Sequence, residues 1–186
     1  MRQALTDTFG HPKEHWSMTE GTNSRPRIDQ LPPSWYCSLS HSKGLVAFSM
    51  AQFPNGIDVE LNTMERNFSE LAEQVFCPRD ITLLESDPAN RKTMFYRIWC
   101  AKEAWYKALP TEVQQNTRLK ALSYIILANA RTPWVLYEGV HQCHQISLVA
   151  CERPRKILIN RSPTGSGHST AFYLSPAAGA SETRLP

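Results

Sequence analysis

Two acidic residues in the pentapeptide Gly56-Ile57-Asp58-Val59-Glu60 are spaced for shared chemistry. Side chains alternate between the two faces of a β-strand, so Asp58 and Glu60 lie on one face while the apolar Ile57 and Val59 lie on the other. Two neighbouring carboxylates repel each other unless a cation lies between them or water solvates both. The pattern therefore indicates either a cation site or an exposed strand face.

A second group of charged residues lies between Trp99 and Lys107. Glu103 and Lys107 are four residues apart and share one edge of a helix, where the simple alternative is a surface ion pair. Lys102 falls within the apolar face of the same helix, so its ammonium group must reach solvent or meet an anion. If the helix lies over the strand, three carboxylates stand beside two lysines, which suits a hard divalent cation and a pyrophosphate.

A polar turn at Ser40-His41-Ser42-Lys43 offers hydroxyl, imidazole and backbone N–H groups, which together suit a phosphate. No acidic residue is placed to form a Ser-His-acid triad with them, and a loop histidine is otherwise simply solvated. Arg25-Pro26-Arg27, taken alone, is only a basic loop.

Short strands and two helical stretches must position these residues. Alternation and turn signals predict an antiparallel meander of three strands at 35–39, 45–50 and 57–61. Helical periodicity predicts helices at 69–76 and 88–109, the second with its apolar residues on one face. Further segments are predicted as a short helix at 2–9 and strands at 122–127, 134–138 and 145–151.

Composition and charge limit the classes of function. The chain has 186 residues, of which 41% are apolar, enough for a folded core. A formal net charge of +3 is too small to favour nucleic acid, but it suits a modestly acidic partner. No apolar run approaches the roughly 20 residues of a membrane span, so we expect no membrane partner. Five widely spaced cysteines without a CxxC motif are typical of reduced thiols in the cytoplasm.

The order of the motifs resembles the 4'-phosphopantetheinyl transferase superfamily. Arg-Pro, Ser-His-Ser, Gly-Ile-Asp-Val-Glu, Phe-Cys-Pro and Trp-x-x-Lys-Glu-Ala-x-x-Lys follow one another between Arg25 and Cys151. The chain is similar to the surfactin-synthetase-activating branch, which is also holo-acyl-carrier-protein synthase-like. The resemblance implies an α+β fold of two pseudo-symmetric α/β lobes with antiparallel sheets and an active site between them.

The resemblance also implies roles for ten residues. Asp58, Glu60 and Glu103 match Mg2+ ligands, and Glu103, or a water that it holds, matches the base for an incoming serine, so that Glu103, Lys107 and Asp58 are the implied catalytic residues. Contacts to coenzyme A are implied for Lys102 and Lys107 at the pyrophosphate, Ser40 and His41 at other phosphates with Ser42 and Lys43 beside them, and Arg25 near the adenine.

The implied activity is Mg2+-dependent transfer of 4'-phosphopantetheine from coenzyme A to a serine of an acyl or peptidyl carrier protein. Adenosine 3',5'-bisphosphate is the implied leaving product, in fatty acid, polyketide or nonribosomal peptide biosynthesis. Two alternatives remain open: a shortened relative that binds coenzyme A or a carrier protein without turnover, and a Mg2+-dependent phosphohydrolase that uses the same carboxylates.

Only 24 residues precede Arg25, whereas the family has a longer first segment. We therefore expect residues 1–34 to be the remnant of a truncated first lobe and 35–160 to form the transferase core. Residues 161–186 are rich in Ser, Gly, Pro and Ala and are predicted to be a flexible tail. A first lobe that lacks strands would expose a sheet edge and apolar surface, which favours self-association.

Overall fold

After one short helix, a run of strands, a run of helices and a second run of strands follow one another in the computed structural model, which describes residues 1–20, 26–153, 156–164 and 167–175. The helices are α1 (Arg2–Phe9), α2 (Phe68–Val75), α3 (Pro78–Glu85), α4 (Arg91–Ala108), α5 (Thr111–Gln115) and α6 (Tyr124–Ala128). The strands are β1 (Met18–Glu20), β2 (Pro26–Ile28), β3 (Tyr36–Ser42), β4 (Leu45–Ala51), β5 (Asn55–Leu61), β6 (Val135–His141), β7 (His144–Ala150), β8 (Lys156–Thr164) and β9 (Gly167–Ser175). This mixture confirms the α+β class.

Three sheets contain these strands. β1 and β2 form a small ribbon, β3-β4-β9-β8 form a four-stranded sheet, and β5-β7-β6 form an antiparallel three-stranded sheet. The pair β4–β9 is parallel, whereas the other strand pairs are antiparallel. The predicted meander therefore divides between two sheets, because β5 leaves β4 and pairs with β7 instead.

The long helix α4 lies against the three-stranded sheet and joins its core to the other helices. Phe95, Ile98, Ala101 and Ala104 of α4 are buried in a cluster with α2, α3 and α6. A second apolar cluster lies between the sheets around Ile57, and a third packs α1 and Trp16 onto β4. None of the helices among the described residues is long and apolar enough to cross a membrane.

Two sequence predictions differ from the observed elements. Residues 122–127 were expected to form a strand, but the chain forms helix α6 there. The buried Asp80 carboxylate accepts hydrogen bonds from the backbone N–H groups of Tyr124 and Ile125, at 3.1 and 3.3 Å, and so satisfies the first turn of α6. Because this acceptor lies 44 residues from Tyr124 in sequence, local patterns did not indicate a helix.

The second difference concerns the expected tail at 161–186. The structure has strands at 156–164 and 167–175, and β9 pairs with β4 from Leu45 to Met50. Serine, glycine and alanine reduced the apparent strand propensity there, but pairing with an available sheet edge overrides weak local preference. Residues 176–186 of the expected tail lie outside the described residues.

Candidate active site

A row of three serine hydroxyls connects the two main sheets. Every second residue of β3 from Ser38 to Ser42 is a serine. The three hydroxyl oxygens accept hydrogen bonds from the backbone N–H groups of residues 57, 59 and 61, at 3.1, 3.2 and 3.2 Å. Since both residue series ascend together, β3 and β5 run in the same direction. The Ser-x-Ser-x-Ser pattern thus has a structural role, and it places Ser40 next to Asp58.

A glycine permits α4 to lie directly on β5. A Cβ atom at Gly56 would lie 2.5 Å from the backbone nitrogen of Ala108 and 2.9 Å from the carbonyl carbon of Lys107, and closer still to the carbonyl oxygen of Ala104. These are backbone atoms, which cannot rotate away as a side chain could. The absence of a side chain at this position therefore brings the acidic and basic groups of α4 to the face of β5 that carries Asp58.

Among the three acidic residues Asp58, Glu60 and Glu103, Asp58 is the most deeply placed, with 4% of its surface exposed. Its Oδ1 atom accepts hydrogen bonds from the Ser40 hydroxyl at 2.8 Å and from the Lys107 ammonium at 2.6 Å. Its Oδ2 atom is buried and has no hydrogen-bond partner among the described residues. The carboxylate thus keeps a coordinating oxygen unused, although burial of such an atom is unfavourable.

The other two carboxylates are destabilised by their surroundings. Burial, followed by the charge of Asp58, raises the pKa of Glu60, while Arg66 and Lys107 act against that rise. Burial and then Asp58 also raise the pKa of Glu103, and Lys107 again opposes the shift. Two carboxyl groups whose pKa values are raised, partly by the charge of Asp58, mark a region where an added cation would be favourable.

These groups line a single cleft of about 680 Å3, a volume that suits a small-molecule ligand. Its polar lining includes Ser40, His41, Asp58, Glu60, Glu103 and Lys107. Met18, Leu39, Val59 and Trp99 supply apolar surface to the same cleft. The structure therefore brings together six of the ten residues singled out in the sequence.

Lys102 does not reach the cleft, which corrects the prediction that it contacts pyrophosphate. Its side chain is 1% exposed, and its ammonium group lies 3.0 Å from Asp80 Oδ2 and 2.7 Å from the carbonyl oxygen of Leu122. Burial lowers the pKa of Lys102, while the charge of Asp80 opposes that shift. A lysine in an apolar helix face requires an anion, and here the anion is an internal aspartate.

The remaining predicted contacts divide further. The Ser42 hydroxyl accepts the Leu61 N–H, and neither Ser42 nor Lys43 is among the cleft-lining residues. Lys43 is exposed in the turn after β3. Arg25 lies outside the described residues.

Sequence reasoning missed two residues beside the carboxylates. Trp99 lines the cleft and its indole N–H donates a hydrogen bond to Glu60. The guanidinium of Arg66 lies 3.5 Å from Glu60 Oε2. The sequence analysis counted Trp99 among the apolar residues of the helix, although its indole N–H group could have indicated a hydrogen bond to a carboxylate. Arg66 follows the acidic pentapeptide by six positions, and no local pattern indicates a role for it.

The donor set fits a divalent cation that binds oxygen. No three acidic, histidine or cysteine side chains within the described ranges are already gathered closely enough to hold a metal ion, since Asp58 and Glu60 each face a basic side chain. However, all three carboxylates line one cleft, and the unused Asp58 Oδ2 and the raised pKa values of Glu60 and Glu103 would all be relieved by Mg2+.

Comparison with known proteins agrees with this geometry. The sequence model of the 4'-phosphopantetheinyl transferase superfamily matches residues 54–156. A Synechocystis sp. protein that carries the name of a 4'-phosphopantetheinyl transferase is 31% identical over 94 residues, which are 48% of this chain and 38% of the relative. The 4'-phosphopantetheinyl transferase HetI of Nostoc sp. is 37% identical over 118 residues, which are 61% of this chain and 50% of HetI. The chain thus spans half or less of the length of these relatives.

Proposed function

The chain belongs to the 4'-phosphopantetheinyl transferase superfamily, and from that premise we propose that it transfers the 4'-phosphopantetheine group of coenzyme A to a serine of an acyl or peptidyl carrier protein. The observation that carries the proposal is the shared cleft: Asp58, Glu60 and Glu103 line it together with Lys107. These are the oxygen ligands and the cation that transfer of a phosphoryl-linked group requires.

Asp58, Glu60 and Glu103 are the residues that would hold Mg2+. When bound there, the ion would neutralise negative charge on the pyrophosphate of coenzyme A. The chain's own cations would share that task. Lys107 would donate to phosphate oxygens, and Ser40 and His41, which line the same cleft, would bind further phosphate oxygens.

Glu103 is the residue we assign as base. Its carboxylate lines the cleft together with Asp58, Glu60 and Lys107, where an incoming serine hydroxyl would come within reach of it. The serine oxygen of the carrier protein would attack the phosphorus atom on the pantetheine side, and its proton would pass to a Glu103 carboxylate oxygen, directly or through a water. The bond from phosphorus to the departing adenosine 3',5'-bisphosphate would break in the same in-line displacement.

The partners and location are part of the same proposal. A chain with a pI of about 8.6 and a net charge of +3 would attract an acidic carrier protein. No disulfide joins the five cysteines, all of which lie in the described part of the chain, and this agrees with a reducing cytoplasm. We further propose a place in the surfactin-synthetase-activating branch, and that two copies of the chain associate.

A direct test is incubation of the chain with an apo carrier protein, coenzyme A and Mg2+, followed by mass spectrometry of the carrier. We expect the carrier to gain one phosphopantetheine group, and we expect no gain when Mg2+ is chelated. An unchanged carrier mass at high enzyme concentration, with coenzyme A still bound, would instead identify a binding protein without turnover. Free phosphopantetheine released without any carrier would identify a phosphohydrolase.

A further inference from the structure

Each strand carboxylate of the cleft has its own basic partner. Lys107 of α4 lies 2.6 Å from Asp58, and Arg66 lies 3.5 Å from Glu60. Lys107 belongs to the recognised motif, whereas Arg66 lies in the loop that follows β5 and belongs to no motif. The two pairs are equivalent in charge and sit at adjacent positions along one face of β5, so the question is whether Arg66 also serves a ligand.

Helix α4 holds the loop of Arg66 in place. The Lys92 ammonium donates to the carbonyl oxygen of Thr63, and the Tyr96 hydroxyl donates to the carbonyl oxygen of Met64, both at 2.9 Å. The guanidinium of Arg66 itself lies over the ring of Tyr96, 5.7 Å from the ring centre. These contacts fix the backbone of Arg66 near Glu60 while its side chain remains 28% exposed and able to turn.

The loop of Arg66 and the turn after β3 emerge at the same end of the site. β3 and β5 run in the same direction, and the Leu61 N–H donates to the Ser42 hydroxyl where both strands end. His41, one residue earlier, lines the cleft. Lys107 lines the same cleft from the helix, whereas Arg66 borders it through Glu60, so rotation of the Arg66 side chain would bring its guanidinium toward a phosphate held near His41.

Arg66 stands beside the cleft through its pair with Glu60 and is not itself among the lining residues. We propose that its side chain turns into the cleft as a second pyrophosphate-binding residue and is paired with Glu60 only while no ligand is bound. Once Glu60 serves a divalent cation, its charge is shared and its attraction for the guanidinium falls. The two parallel N–H groups of an arginine match the oxygens of a phosphate better than a lysine does. The side chain would then exchange one charged acceptor for another by rotation, with its backbone held.

Arg66→Gln tests this with two binding measurements by titration calorimetry, neither of which depends on catalysis. Mg2+ alone should bind the variant at least as tightly as the wild-type chain, because a cation beside Glu60 has been removed. Inorganic pyrophosphate in the presence of Mg2+ should bind about tenfold more weakly, because a charge-assisted hydrogen bond is lost. Arg66→Lys keeps the charge but not the two parallel N–H groups, so its affinity for magnesium pyrophosphate should lie between those of the wild type and Arg66→Gln.

Arg79→Gln is the matched control, since Arg79 is exposed on α3, away from the Glu60 pair that brings Arg66 to the cleft, and the variant loses the same charge. The proposal is overturned if Arg66→Gln binds magnesium pyrophosphate as the wild type does. Weakened binding of both Mg2+ and pyrophosphate would also overturn it, since Arg66 would then only hold Glu60 in position for the cation. So would unchanged pyrophosphate binding with a raised KM for the carrier protein.

The pyrophosphate group in question is part of coenzyme A, so the inference rests on the proposed function. Different results would nevertheless reject each of them. A wild-type chain without transferase activity whose pyrophosphate binding still depends on Arg66 would reject the transferase alone. Active transfer with pyrophosphate binding that ignores Arg66 would reject the present inference alone. A wild-type chain that binds no pyrophosphate would reject it as well.

Discussion

At the scale of single residues, the acidic groups of the cleft are held where their charges are unfavourable. Burial and the neighbouring Asp58 raise the pKa values of Glu60 and Glu103. The same Asp58 charge, after burial, contributes to the raised pKa of the Cys100 thiol on α4. Stability is thus reduced at the site that would bind a cation, which is a common cost of function.

This arrangement predicts how stability responds to pH. The folded-state pKa values of Glu60 and Glu103 lie above their ordinary value of 4.5, so the folded chain keeps protons that the unfolded chain has released. Their contribution to stability is complete below pH 4.5 and is lost as pH rises through the raised values. We expect Glu103→Gln to lose less stability over that window and, without metal, to unfold a few degrees higher at neutral pH.

Thermal unfolding of both chains between pH 4.5 and 7.5 in a chelating buffer measures this effect. Glu112→Gln provides the control, because Glu112 is exposed on α5 and undergoes the same chemical change. Addition of Mg2+ should stabilise the wild type and fail to stabilise Glu103→Gln. If Glu103→Gln is less stable than the wild type at neutral pH, the Glu103 carboxylate is not under electrostatic strain.

At the scale of elements, the site depends on how closely α4 approaches β5. Gly56→Ala would insert a methyl group among the backbone atoms of residues 104, 107 and 108. The helix would have to move away, so we expect destabilisation of about 2–3 kcal/mol, at the upper end for overpacking. Gly139→Ala in β6 is the control, because nothing lies within 4 Å of its added methyl group. Equal stability of the two variants in urea titration would contradict this packing.

Ion pairs at two points along α4 also fix its angle across the sheet. Lys107 meets Asp58 on β5, and Arg97 meets both carboxylate oxygens of Glu138 on β6, at 3.2 and 2.8 Å. Tyr124 of α6 joins the second group, and burial followed by the Glu138 charge raises the pKa of Tyr124 to about 12. Movement of α4 in either direction would break one of these pairs.

The buried pair Lys102–Asp80 ties α4 to α3 and α6. Lys102→Met would leave the Asp80 carboxylate buried without its cation, so we expect a loss of about 3–5 kcal/mol in the free energy of unfolding. Asp80→Asn combined with Lys102→Met should recover part of that loss, because no buried charge remains unpaired. Lys92→Met removes a pair with Glu65 near the surface and should cost less than about 1 kcal/mol.

Chemical denaturation of the four chains gives these values, and calorimetry with magnesium pyrophosphate separates structure from ligand binding. The folded Asp80→Asn/Lys102→Met chain should bind the ligand as the wild type does. Full stability with lost pyrophosphate binding would instead return Lys102 to the role that its motif suggested.

At the scale of the whole molecule, the sequence was enough to predict the parts of the site that depend on local spacing, but not those that depend on tertiary contacts. Alternation along β5 and the four-residue spacing on α4 placed Asp58, Glu60, Glu103 and Lys107 on the facing surfaces, and the structure brings them into one cleft. Their catalytic roles stay predictions. The anion that faces Lys102 and the capping of α6 both depend on Asp80, and contacts between distant segments leave no periodic signal.

The pairing of β9 with β4 is the feature of the whole molecule most open to test. A chain that ends at Arg153 would keep the pairing of β4 with β3 but would leave the other edge of β4 unpaired from Leu45 to Met50, and unpaired edges recruit other chains. We expect this chain to unfold at a lower temperature than one that ends at Ser175, which keeps both strands, and to associate as its concentration rises. Light scattering after size-exclusion chromatography measures the association. If the chain ending at Arg153 is monomeric and equally stable, β8 and β9 contribute nothing to the fold, and the flexible tail that composition predicts would begin before residue 161.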